Sequence, residues 1–187
     1  MALLLELDGV APTIGSDVWL APTAVLVGDV RVGDRANIWF GAVLRGDSSP
    51  IEIGEETSIQ DNAVIHCAHE LPTVIGRKVI VGHGALLEGC VVEDQAVIGM
   101  GAVVLQRALV GRGAMVAAGA VVSERSQIRA GVLAAGVPAQ EKKELSGAAA
   151  HWTATASDEY QEFRRRYMTS AIEKSEGGRR VPDVDRR

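Results

Sequence analysis

Histidine and cysteine, two residue types that bind zinc, are concentrated in a short part of this 187-residue chain. His66, His69 and His83 lie there, Cys67 directly follows the first, and Cys90 stands shortly after the last. A zinc site of cysteine and histidine is therefore conceivable on composition. Because adjacent residues of a β-strand point to opposite faces, we expect that His66 and Cys67 do not face one metal ion. We interpret both cysteines as small packing residues.

Aliphatic residues recur every six positions, a period that neither an α-helix nor a plain strand produces. A short fixed period predicts a solenoid. If one hexad supplies a short strand and a turn, three hexads close a triangular coil with the aliphatic residues inside. Alanine would fit the narrow corners, and glycine would fit where a turn needs room or a positive φ. The aliphatic series is Ile14, Leu20, Leu26, Val32, Ile38, Leu44, then Ile53, Ile59, Ile65, then Ile75, Val81, Leu87, then Val92, Ile98, Val104, Val110, Val116, Val122, Ile128.

This pattern resembles that of the hexapeptide-repeat proteins. We therefore predict a mainly β fold, a left-handed parallel β-helix of about six triangular coils stacked at about 4.8 Å. A small antiparallel sandwich is the alternative, but it would not hold a six-residue phase over so much of the chain. We expect the β-helix domain at residues 1–138, a C-terminal helical segment at 139–170 and a disordered tail at 171–187.

The C-terminal segment predicts an amphipathic helix packed alongside the coils. Ser157 is the expected N-cap, with acids in the first turn and arginines in the last. Tyr160, Phe163 and Tyr167 would share the face that packs against the β-helix.

Composition narrows the classes of function. A formal net charge of −5 argues against nucleic acid and anionic membranes as partners. No stretch approaches the roughly 20 apolar residues of a membrane span. Two cysteines make no disulfide framework, which favours a reducing, cytoplasmic location.

Local motifs point to one branch of the hexapeptide-repeat proteins. Residues 44–47, 59–62 and 64–66 resemble the signature of γ-class carbonic anhydrases, and so do 81–83, 87–90 and 98–101. The segment 158–167 is similar to the closing helix of the bacterial members. This resemblance implies a homotrimer with a zinc site at each subunit interface, each ion taking two histidines from one subunit and one from its neighbour.

By position, His66 matches the first ligand of that family and His83 the second, while Glu88 stands where the third histidine is expected. Glu88 is a ligand in one interpretation, since two histidines and a glutamate form an established zinc set. Its charge would make the ion less electropositive, so activity would be weak and would rise toward alkaline pH. In the second interpretation the metal site is vestigial. In the third, Glu88 is a general base acting on a larger substrate.

Other residues take expected roles from the same resemblance. Arg45, Asp47 and Asp61 correspond to an ion network between subunits. Gln60 matches the residue that hydrogen-bonds water or substrate at the metal. His69 follows the first ligand by three residues, and it is a proton shuttle, a substitute ligand or an ordinary loop histidine.

Two further positions complete the comparison with the family. Tyr160 reaches the site or serves in packing. Ser48 replaces a second shuttle glutamate, which lowers the expected rate.

The favoured function is metal-activated water chemistry, either CO2 hydration or a related hydrolytic or lyase reaction on a small molecule. The expected cofactor is zinc, with iron or cobalt as alternatives. Two other functions stay open. One is an acyl-CoA thioesterase or acyltransferase, for which His69 is the candidate catalytic residue, and the other is a trimeric scaffold without catalysis.

Overall fold

The structure is a computed structural model that describes residues 1–170, so the predicted tail at 171–187 lies outside the described residues. Short strands fill most of the chain. They are β1 (Leu3–Leu5), β2 (Thr13–Ile14), β3 (Trp19–Leu20), β4 (Val25–Val32), β5 (Asn37–Ile38), β6 (Val43–Ile53), β7 (Ser58–Ile59), β8 (Val64–His66), β9 (Thr73–Ile75), β10 (Ile80–Val81), β11 (Leu86–Glu88), β12 (Val91–Val92), β13 (Val97–Ile98), β14 (Val103–Val104), β15 (Leu109–Val110), β16 (Met115–Val116), β17 (Val121–Val122), β18 (Gln127–Ile128), β19 (Val132–Ala135) and β20 (Gln140–Glu144). One helix, α1 (Gly147–Ser170), follows them.

The strands stack in parallel on three faces of a solenoid. The first face is an eight-stranded sheet in the order β3, β5, β7, β10, β13, β16, β19, β20. The other two faces form one twelve-stranded sheet, because the long strands β4 and β6 run round the corner between them. The prediction of a mainly β, parallel β-helix with a C-terminal helix is confirmed. Left-handedness stays a prediction.

The solenoid has about seven coils, one more than the hexads alone predict. Two strands beyond the predicted aliphatic series account for the difference. β1 pairs with β4 before the first hexad, and β19 pairs with β16 after the last. Beyond β19 the chain reverses, and β20 pairs with it antiparallel.

The core is built from aliphatic residues of successive coils in register. On one face Leu26 pairs with Leu44, Leu44 with Ile65, and Ile65 with Leu87. Each of these four side chains is at most 2% exposed. The glycines that follow the aliphatic residues serve close approach rather than positive φ. At Gly54, for example, a Cβ would collide with the carbonyl group of Gly76 on the next coil.

Helix α1 begins ten residues before the predicted start, so the assignment of Ser157 as its N-cap is wrong. Ser157 lies inside the helix and is buried, and its hydroxyl donates to the carbonyl oxygen of Glu56 at 3.0 Å. The Ala-rich sequence at 148–150 has high helix propensity and extends the helix toward the N-terminus. The helix is not apolar enough to cross a membrane.

The predicted aromatic face of α1 does pack against the coils. The ring of Tyr167 lies 5.0 Å from the rings of both Trp19 and Trp39, measured between centroids. Tyr160 contacts Trp39 at 5.8 Å, and Phe163 contacts Tyr160 edge to face at 5.7 Å. These contacts fix the position of α1 beside the first face.

Candidate metal centre

Three polar side chains form one row across the face of the solenoid that contains β8 and β11. Arg45 of β6 is in register with His66 of β8, which is in register with Glu88 of β11. In-register parallel strands place such residues on the same side of the sheet. Nδ1 of His66 lies 3.5 Å from Oε1 of Glu88. The fold therefore brings two of the predicted site residues together within one chain.

The imidazole of His66 is oriented by Asp47. Nε2 of His66 lies 3.0 Å from Oδ1 of Asp47, and Arg45 forms an ion pair with the other oxygen of that carboxylate. Burial acts to raise the pKa of Asp47, but hydrogen bonds from His66 and Arg45 outweigh it and hold the pKa below its ordinary value. When a neutral His66 donates its Nε2 proton to the charged Asp47, Nδ1 carries a lone pair.

That lone pair faces a carboxylate. Two acceptors at 3.5 Å repel each other unless a cation or a proton lies between them. Two zinc ligands at about 2.1 Å and a tetrahedral angle are themselves about 3.4 Å apart. The donor set and its spacing therefore fit a divalent ion held by His66 and Glu88.

Glu88 has a further partner that the sequence reasoning missed. Gln106 donates from Nε2 to Oε1 of Glu88 at 3.3 Å. Gln106 lies one coil further along the same corner of the solenoid. Counting one coil forward from Glu88 in the sequence would therefore have predicted this contact. An amide that donates to this oxygen restrains the carboxylate beside His66.

His83 belongs to a different group of side chains. It follows β10 in a turn, and its Nδ1 lies 2.8 Å from Oδ2 of Asp61. Its backbone N–H donates to Oε1 of Gln60 at 3.1 Å. With Nδ1 paired to Asp61, the nitrogen left for a ligand is Nε2. The side chain is 45% exposed, so that nitrogen is accessible from outside the chain.

Within residues 1–170 the fold does not bring His83 to His66 and Glu88. The group of three metal-binding side chains whose donor atoms come within 4.8 Å of one another is Asp47, His66 and Cys67. The predicted ligand set is therefore divided between two places on one subunit.

A cleft of about 560 Å³ separates α1 from the first face beside His83. Aromatic rings form much of its wall, and the lining residues are Trp39, Asp61, His83, Tyr160, Phe163, Arg166, Tyr167 and Ser170. Burial, with the charges of Asp61 and Glu159, raises the pKa of the Tyr160 phenol against an opposing hydrogen bond from Gln60. The phenol therefore stays protonated at neutral pH and is available as a donor.

His69 joins neither group. It lies on an exposed turn between β8 and β9, which is closed by bridging hydrogen bonds between Ala68 and Leu71. His69 lines neither the cleft beside α1 nor the groove around His66 and Glu88.

Cys67 is fully buried in the core, as expected of a small packing residue, but its thiol lies closer to the donors around His66 than strand alternation predicts. Its Sγ lies 3.7 Å from Oδ1 of Asp47, the oxygen that also contacts His66. Burial still alternates from Val64 to Cys67, so the thiol approaches Asp47 from the core side. Cys90 is also buried in the core as predicted, and burial raises the pKa of its thiol to about 12.

Comparison with known proteins places these groups in context. The bacterial transferase hexapeptide (six repeats) family matches residues 11–46. Gamma carbonic anhydrase 2, mitochondrial, of Arabidopsis thaliana is 45% identical over 104 residues, which are 52% of this chain and 37% of that protein. A carbonic anhydrase of Geobacillus kaustophilus is 36% identical over 99 residues, 53% of this chain and 54% of that protein. The matched segment thus spans about half or less of these curated relatives.

Two solved structures are similar over nearly their whole length. A hexapeptide transferase family protein from Anaplasma phagocytophilum is 37% identical with a TM-score of 0.85, covering 88% of this chain and 98% of that one. A candidate acetyltransferase from Bacillus cereus is 34% identical with a TM-score of 0.87, covering 89% and 96%.

Proposed function

Since the chain belongs to the hexapeptide-repeat family and is similar to γ-carbonic anhydrases, we propose that it is a metalloprotein that activates water for CO2 hydration or a related hydrolytic reaction. The observation that carries the proposal is the pair of acceptors at His66 and Glu88, 3.5 Å apart and oriented by Asp47 and Gln106. Zinc is the proposed ion, with iron and cobalt as alternatives.

His83 is proposed to join the metal site from a neighbouring subunit. A divalent ion at His66 and Glu88 needs a third protein ligand, and His83 of a neighbouring subunit would supply Nε2. Asp61 orients that imidazole from its other nitrogen, as carboxylates do for metal-binding histidines. A homotrimer is the proposed assembly, because in a closed ring each subunit contributes one half-site, His66 with Glu88, to one interface and the other half-site, His83, to the next.

The residues that surround the proposed metal ligands have separate roles. A bound divalent ion supplies a Lewis acid that lowers the pKa of water. Asp47 holds the tautomer of His66, and Gln106 restrains Glu88. Gln60 uses its carbonyl oxygen on the backbone of His83, so its amide is left to donate to Tyr160. Tyr160 then keeps its own proton for a substrate oxygen in the cleft.

The charge of Glu88 sets the expected rate. A carboxylate in place of a neutral imidazole reduces the effective charge of the ion, so water at the site ionises at higher pH. CO2 hydration is therefore proposed to be weak at neutral pH.

Acyl transfer is the second candidate function. It is favoured by the similarity to the transferase family protein and the candidate acetyltransferase. His69 on its exposed turn is the candidate base for that reaction. The interruption at residues 67–72 is short for covering a pantetheine arm, so we rank this function second.

Metal analysis of the purified protein, paired with two assays, tests the proposal. We expect one divalent ion per chain in the wild type and a lower metal content in Glu88→Ala and in His83→Ala, because each change removes a ligand of the interface site. CO2 hydration should follow the ion through these variants. Metal-free wild-type protein would support the scaffold function, and turnover of acetyl-CoA that depends on His69 but not on Glu88 would support acyl transfer.

A further inference from the structure

We infer that Asp47, His66 and Cys67 form a second cation site, contained within one chain, which takes a soft divalent ion of the zinc class through a thiolate ligand. This site uses the Nε2 edge of His66, opposite to the edge that faces Glu88. It differs from the interface site in needing no neighbouring subunit.

The donor atoms have the spacing that such an ion requires. Nε2 of His66 lies 3.0 Å from Oδ1 of Asp47, and Sγ of Cys67 lies 3.7 Å from the same oxygen. All three donor atoms lie within 4.8 Å of one another. Around a tetrahedral zinc ion, oxygen, nitrogen and sulfur ligands are separated by about 3.3–3.6 Å. Small side-chain rotations therefore bring all three onto one ion.

The local fold explains why these residues converge. Residues 47–50 bulge from β6, since the register with β4 shifts between Gly28 and Val30. One coil later, β8 ends at His66 and the chain turns at Cys67. The two irregularities stack at the same corner, which places the thiol under the carboxylate.

One side of the proposed cation site is open to solvent, and the other side is buried. The side chains of Asp47 and His66 are 26% and 24% exposed, so an ion can enter from solvent. Cys67 is fully buried. Its sulfur lies 3.4 Å from the hydroxyl of Ser48, which is a donor suited to a thiolate. Arg45 holds the second oxygen of Asp47 and leaves Oδ1 for the ion.

Binding exchanges a proton for the ion. The S–H bond of Cys67 breaks, a sulfur–metal bond forms, and the proton passes to solvent. The imidazole of His66 then bonds the ion through Nε2 and carries its proton on Nδ1, where Oε1 of Glu88 is the acceptor at 3.5 Å. Glu88 becomes an outer partner of the histidine rather than a ligand.

This exchange has a regulatory consequence, which rests on the proposed function. A His66 that carries its proton on Nδ1 has no lone pair for the interface site. A soft cation at Cys67 would therefore inhibit the metal-activated reaction, and the inhibition would disappear when Cys67 is replaced.

Cobalt(II) is the probe for the second site, because thiolate ligation gives a near-ultraviolet sulfur-to-cobalt charge-transfer band. The intact protein, stripped of metal, is titrated with Co²⁺ and followed by absorption. We expect this band to appear in the wild type and in Cys90→Ser, a second buried cysteine away from the cluster. It should be lost in Cys67→Ser, and it should need about tenfold more Co²⁺ in Asp47→Asn, which keeps the thiol. Thermal melting checks that each variant is folded.

Three outcomes would overturn the inference. Visible cobalt absorption without the charge-transfer band means that the ion binds elsewhere, which leaves the interface site of the proposed function intact. A charge-transfer band that survives Cys67→Ser but not Cys90→Ser assigns the thiolate to Cys90. Failure to bind cobalt at all would overturn both this inference and the proposed function.

Discussion

Oε1 of Glu88 lies 3.5 Å from Nδ1 of His66, on the next coil of the same face. The other nitrogen of that imidazole lies 3.0 Å from Asp47, and a neutral His66 that donates to Asp47 presents a lone pair to Glu88. A carboxylate beside a lone pair is an arrangement that a divalent cation stabilises. The proposed metal site at the subunit interface follows from that pair.

The charge of Glu88 should be visible in the pH dependence of the reaction. We expect the CO2 hydration rate of the wild type to rise toward alkaline pH, because the added negative charge raises the pKa of water at the ion. In Glu88→His the rise should begin at lower pH, and the rate at neutral pH should increase about tenfold or more. Stopped-flow hydration assays across pH measure both. A wild-type profile that is already flat at neutral pH would contradict this account.

Gln106 should strengthen metal binding without being a ligand. Gln106→Leu removes the amide that donates to Glu88, and loss of such an outer partner typically costs about 10–100-fold in affinity. Gln127→Leu, an exposed change on a different face, is the matched control. Competition with a chelator gives the two dissociation constants. Equal constants would mean that Gln106 does not orient Glu88.

Glu56 should contribute stability that depends on pH. Burial acts to raise its pKa, but hydrogen bonds from Arg35 and Lys78 and their charges outweigh it and hold the pKa below 4.5. A lowered native pKa stabilises the fold above the unfolded value and loses this effect as pH falls through the native value.

Glu56→Gln should therefore reduce the free energy of unfolding by less than about 1 kcal/mol at neutral pH. The difference from the wild type should vanish as the pH falls through the lowered native pKa of Glu56, and denaturant titrations at several pH values test this. A difference that persists at low pH would show that charge is not its origin.

Gly54 should be intolerant of a side chain although its backbone is not left-handed. A Cβ there would collide with the carbonyl group of Gly76, and backbone on both coils leaves no flexible group to move. We expect Gly54→Ala to cost about 1–3 kcal/mol. An unchanged melting temperature would mean that the coils separate more easily than their packing indicates.

The sequence predicts the coils well because one physical rule repeats. An aliphatic residue that faces inward, such as Ile59, is followed by another six positions later over most of the chain, so the period reveals the fold. It also places His66 and Glu88 on one face, 22 residues apart in register. The cytoplasmic location and the left-handed twist stay predictions.

The sequence predicts poorly where the repeat stops. Cys67 follows the end of a strand, and strand alternation does not reveal that its sulfur lies 3.7 Å from Oδ1 of Asp47. Ser157 has the residue type of an N-cap, but it is buried by a tertiary contact with Glu56 that no local pattern contains. Gln106 makes its contact across coils, so only the register reveals it.

Sharing of one ion between subunits is the central claim, and mixed assemblies test it most directly. Chains with His66→Ala and chains with His83→Ala, both also carrying Cys67→Ser to remove the second cation site, each lack part of the interface site, so neither alone should retain metal. Co-expressed in equal amounts, they form mixed trimers in which one interface joins an intact His66 and Glu88 to an intact His83. Random mixing predicts about a quarter of the wild-type metal content, measured by elemental analysis. Mixed assemblies that hold no more metal than the single variants would contradict the shared site.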